Sequence, residues 1–128
     1  MIETLFLPLL VQVATTQAAP PETPPEKQEA RAPEPLSFQE KAALRCSAAL
    51  ALVGARQTDG EEPSNWPDVS ERGREFFVQS LAGIMDTRGL DRAAIEREVR
   101  REAQRLIEAD EVDAVMPACL LMLEAAGL

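Results

Sequence analysis

Residues 19–35, APPETPPEKQEARAPEP, hold six of the chain's ten prolines and not one large apolar side chain. Such a stretch has no apolar surface to bury against the entropy of ordering it, and its prolines favour extended, solvated backbone. It is expected to be a disordered spacer, so any packed core must be built from residues 36–128. The spacer also sets apart the first 18 residues, MIETLFLPLLVQVATTQA. Their apolar run from Leu5 to about Ala14 has the length of a signal-peptide core and is too short to span a bilayer comfortably. Thr16 and Ala18 place small residues at −3 and −1 of a cut that leaves a chain beginning at Ala19. Against this, the segment before the run carries Glu3 and no Lys or Arg, where signal peptides have positive charge. We expect residues 1–18 to be a cleaved signal peptide and the protein to be periplasmic or secreted, with no stable membrane insertion once the leader is gone. The alternatives are a membrane tether through an uncleaved leader, or Leu5–Val13 as the first helix of the fold.

Thirteen Lys plus Arg stand against 22 Asp plus Glu, a net charge of −9. Setting aside Glu3 and the spacer's four Glu, one Lys and one Arg leaves 11 basic and 17 acidic side chains, or −6, over residues 36–128. Bulk binding to nucleic acid or to anionic lipid is therefore disfavoured, and a protein partner, if charge selects it, is basic. There is no His and no Tyr. That removes His-dependent triads, Cys/His dyads and His-containing zinc sites, because the imidazole base or ligand is missing.

No stretch of residues 36–128 sustains the period-2 alternation of a half-buried strand, and helical signals dominate. The pattern predicts an all-α fold, a small bundle of about four helices. The first opens at Ser37 with Glu40 three residues on, a capping box, and runs to Gly54. From Ala42 to Val53 only Arg45 and Ser47 are polar, so this helix should be central and packed on several sides. The second spans roughly Asp68–Arg88, with Val69, Phe76, Phe77, Leu81, Ile84 and Met85 at helical spacing and Gly89 as C-terminal cap. On it Gly73, Ser80 and Gly83 lie near one line, where a neighbouring helix can approach closely. The third starts at Asp91, with Leu90 and Ile95 as a hydrophobic staple, an apolar stripe of Ile95, Val99, Ala103 and Leu106, and Arg92–Glu96 and Glu96–Arg100 as charge pairs. The last carries Val112, Val115, Met116, Cys119, Leu120, Met122 and Leu123, and Pro117 predicts either a kink or a start at that residue.

Cys46 and Cys119 each fall on the apolar face of a terminal helix. In an exported chain the simplest reading is one disulfide closing the first helix onto the last; the alternative is two buried thiols in a cytosolic protein. With no His to activate either and no Cys-x-x-Cys spacing, a catalytic cysteine is disfavoured.

Other candidates for chemistry are weak. Glu71 and Glu75 lie one helical turn apart beside Arg72 and Arg74, where ion pairing is the expected use. Asp59, Glu61 and Glu62 in the loop DGEEPSN lack the oxygen-ligand spacing of a calcium loop. The arginines of the third helix are interleaved with glutamates. Trp66, the only tryptophan, precedes a proline in a loop, where it is either a lid on the core or a partner contact. No catalytic residue, metal site or cofactor is assigned, and there is no glycine-rich phosphate loop.

The stretches RCSAALALV around Cys46, ERGREFFVQ from Glu71 to Gln79 and PACLLMLEA around Cys119, behind a leader and a Pro-rich spacer, resemble small exported bacterial proteins of unknown function. The likeness covers most of the chain beyond the spacer and implies two cysteines set in apolar helices, with no activity or catalytic residues. By architecture alone the chain is also similar to acid-stress periplasmic chaperones, small all-helical proteins closed by one disulfide. The expected function is protein binding without catalysis, as an accessory or inhibitor-like exported protein. Two alternatives are a stress-dependent holdase switched by carboxylates below about pH 5, and a small-ligand carrier or enzyme, which needs a cavity with convergent polar groups.

Overall fold

Helix-start and helix-stop residues divide the chain beyond the spacer into four helices: α1 (Phe38–Thr58), α2 (Ser70–Arg88), α3 (Arg92–Glu108) and α4 (Val112–Ala125). The computed structural model describes residues 35–61 and 65–128, among which there is no strand, so the fold is all-α. The signal-peptide segment 1–18 and all of the spacer except Pro35 lie outside the described residues.

The Ser37 hydroxyl accepts from the Glu40 amide and the Glu40 carboxylate from the Ser37 amide, both at 3.1 Å, which is the predicted capping box. Asp91 caps α3 through its carboxylate and the Ala94 amide at 2.7 Å, and Leu90 packs into the same small core as Ile95, forming the staple. Gly89 ends α2 in the left-handed region at φ 64°, the conformation that a residue without Cβ adopts at least cost. Asp110 takes a similar conformation, φ 53°, in the turn from α3 to α4, as short polar side chains tolerate best among non-glycine residues.

Two boundaries differ from expectation. α1 continues past Gly54 to Thr58, because Gly54 is a contact point rather than an exit: a Cβ there would lie 3.2 Å from the Ser70 Cα. α4 starts at Val112 and runs through Pro117, so the proline neither starts nor ends the helix. Ring and missing N–H fall on an exposed side, and the Asp113 carbonyl loses its usual intrahelical donor.

α1 is the hub, packing against α2, α3 and α4, whereas α2 makes few contacts with α3 or α4. Residues Cys46–Leu50 are buried without a break. At 100° per residue five consecutive positions circle the helix, so this part of α1 is enclosed on every side. Gly73 on α2 admits a second, equally close approach, since a Cβ there would meet the Leu50 Cβ at 3.2 Å. Gly83, expected on the same line, is exposed with nothing within 4 Å of its would-be Cβ, and so plays no part in that approach.

The larger core gathers Leu50, Leu106, Met116 and Leu123 around the Cys46–Cys119 disulfide, which joins α1 to α4 with the Cα atoms 5.1 Å apart. A smaller core of Leu44, Leu81, Ile84 and Ile95 lies where α1, α2 and α3 meet. Across its end Arg88 on α2 grips the Glu40 carboxylate at the start of α1, with Nε 2.9 Å from both oxygens. The guanidinium, together with the Ser37 hydrogen bonds, pulls the Glu40 carboxyl down to about 2. Among the described residues no helix is long and apolar enough to cross a membrane.

Candidate binding groove

Because α2 and α3 both lean on α1 and barely touch each other, the apolar side chains between them are only partly covered. They line an open groove of about 830 Å³. Ala51 of α1 forms its floor. Phe77, Val78, Leu81 and Met85 form the α2 wall, and Ile95, Val99 and Ala103 the α3 wall. Leu81 and Ile95 are buried and continuous with the smaller core, while Phe77, Met85 and Val99 are half-buried and Val78 is 57% exposed. Arg92, Glu96 and Arg100 edge the groove one turn apart along α3, with Arg92 Nε 3.6 Å from Glu96 Oε1. The expected Glu96–Arg100 pair is not formed: Glu96 pairs backwards to Arg92. A groove with apolar walls and a charged edge suits an amphipathic segment, and it holds no nucleophile or buried acid for bond chemistry.

A smaller hollow of about 390 Å³ lies beside Arg45 and Arg88, between the start of α1, the end of α2 and the middle of α3. Four of its five charged side chains are in ion pairs, only Arg45 and Glu102 with each other. Arg45 Nε is 3.3 Å from Glu102 Oε1, Glu102 also bonds Arg105, and Arg88 holds Glu40. The Arg105 guanidinium, more than that of Arg45, holds the Glu102 carboxyl below its ordinary value, against the opposing effect of burial.

Trp66 sits half-buried against the larger core, its indole Nε1 donating to Asp113 Oδ1 at 2.9 Å. Gln57 fastens the same loop: its amide donates to the Pro67 carbonyl at 2.9 Å and accepts from the Val69 amide at 3.0 Å. Trp66 thus ties the α1–α2 loop to α4, and Gln57 ties it to α1. The Glu71/Glu75 neighbourhood does not form the ion pairs expected of it. Arg72 donates to the Leu128 carbonyl at 2.7 Å, and Glu75 accepts from Gln79 at 2.8 Å. Asp59 and Glu61 are exposed, Glu62 lies outside the described residues, and no metal-binding group of three or more acidic or sulfur ligands occurs among the described residues.

Val78 and the groove itself went unassigned in the sequence. The signal was the width of the apolar band on α2: Phe76, Leu81 and Ile84 are buried, and Phe77, Val78, Ala82 and Met85 widen the band beyond what one packing face needs.

Fold and site together define a small all-α protein, tied by a disulfide between its first and last helices, with an open apolar groove between the middle two. No protein family matches the sequence, and comparisons with curated proteins and with solved structures give no match.

Proposed function

We propose that this is an exported protein whose four helices work as a small bundle organised on α1 and whose role is to bind another protein, as an accessory or inhibitor-like factor without catalysis. The observation that carries the reading is the α2–α3 groove, whose apolar walls are those a partner's amphipathic helix would fill. The disulfide supports an oxidising compartment, since such bonds persist there and are rare where thiols are kept reduced. The acidic surface, −6 over residues 36–128, favours a partner with basic flanks by speeding encounter. In support of binding over catalysis, Arg45 and Glu102 beside the smaller hollow are paired with each other.

The test is a photocrosslinking residue at Val78, inside the groove, in cells of the native host. The reading expects one discrete adduct larger than the chain by a partner's mass, absent when the same residue replaces the exposed Arg97. Equal labelling from both positions, or none from Val78, would contradict it.

A further inference from the structure

We infer that the partner helix seated in the α2–α3 groove carries a carboxylate at the edge of its apolar stripe, where it pairs with Arg100; this rests on the groove being a protein-binding site. The groove is open, so whatever fills it keeps one side in water. A helix with a polar back meets that condition, and a bare acyl chain does not. On α3 the lining runs from Arg92 to Ala103, about 16 Å at 1.5 Å per residue, the length of about three turns of a partner helix.

Charge at the groove is one-sided. Its lining has two arginines and one glutamate, all on α3, and the α2 wall has no charged side chain. The groove is therefore +1 in a chain of −9. Glu96 lies four residues from both arginines and can balance only one. It pairs with Arg92, Oε1 to Nε 3.6 Å, and Arg100 has no carboxylate within ion-pair distance among the described residues. Were Glu96 to turn to Arg100, Arg92 would be left over in its place, so this edge always offers one exposed guanidinium. A guanidinium presents a planar fork of donors that a carboxylate fills with two hydrogen bonds, and its aliphatic stem covers apolar surface beside it. The chain's overall acidity acts at a distance on the partner as a whole, whereas Arg100 acts on the one residue seated next to it.

The probes are two stapled helical peptides of about 14 residues and identical composition, each with the same leucine stripe. One has Glu on both flanks of the stripe and Lys on its back; the other has the reverse. Their equal net charge removes the chain's overall acidity from the comparison. Fluorescence anisotropy with the full, oxidised chain should find the Glu-flanked peptide bound more tightly by at least about threefold, the scale of exposed charge pairs. That preference should reverse in Arg100→Glu, persist in Arg97→Glu, which alters α3 outside the lining, and shrink towards unity between about 20 mM and about 500 mM salt. Val78→Glu should weaken both peptides by at least about tenfold. All three positions are exposed, so the variants' melting midpoints should match the parent's. Equal affinities for the two peptides, or a preference that Arg100→Glu leaves unchanged, would overturn the inference while the groove stands as a binding site. Binding of neither peptide, or binding that Val78→Glu leaves unchanged, would overturn the groove reading and the inference with it.

Discussion

Reduction of the Cys46–Cys119 bond removes the covalent tie between α1 and α4, and its effect on stability can be sized. The two residues are 73 apart in sequence, for which the loop-entropy relation gives about 4 kcal/mol at 25 °C. Little should be subtracted for native-state distortion, because the Cα separation of 5.1 Å lies inside the ordinary span for a disulfide. Residues 36–128 can be expected to have a net stability of about 5–14 kcal/mol, so the bond supplies more than about a quarter of it. The same chain is unfolded in urea and followed by circular dichroism at 222 nm, oxidised and after reduction in denaturant. That order matters because both sulfur-bearing residues are buried, Cys46 4% and Cys119 0% exposed. With a urea slope of about 1–2 kcal/mol per molar, the midpoint should fall by about 2–4 M. A fall of less than about 0.5 M would refute the reasoning, since α1 and α4 would then be held as firmly by packing alone.

Two glycines on α2 should respond oppositely to alanine. Gly73→Ala forces a methyl against Leu50 and costs about 1–3 kcal/mol of overpacking, partly offset by about 1 kcal/mol of helix propensity. Gly83→Ala meets nothing and gains that propensity alone. Equilibrium unfolding should rank Gly83→Ala the more stable by about 1–3 kcal/mol, and equal stabilities would contradict the α1–α2 contact. Ser47 is fully buried with no partner for its hydroxyl, so Ser47→Ala should be neutral or stabilising by about 1 kcal/mol, and a loss of stability would reveal a hydrogen bond there. The Glu40 carboxyl is lowered in the folded protein from 4.5 to about 2. Its contribution is therefore fully present above about pH 4.5 and lost as pH falls through about 2. Glu40→Gln, which preserves a capping side chain, should flatten the melting temperature's pH dependence in that window, and an unchanged profile would count against the Arg88 grip.

Much of the fold is legible one element at a time. Ser37, Gly89 and Asp91 each carry a local hydrogen-bonding or backbone preference strong enough to fix a helix end, and the apolar run from Ala42 marks α1 as the hub. Legibility stops where a residue's role depends on what faces it. Gly54 reads as a helix exit because glycine is a breaker in isolation, yet here the close approach of Ser70 requires it. Phe77, Met85 and Val99 read as core from their spacing. Periodicity, however, shows which face is apolar and not whether another helix covers it, and it is the splay of α2 from α3 that leaves them open.

The functional account stands first on export into an oxidising compartment. The intact mass of the protein recovered from its native host, measured with and without reductant, tests that most directly. The account predicts a chain beginning at Ala19 that gains two hydrogens on reduction. A chain beginning at Met1, with a mass that reductant does not change, would contradict it.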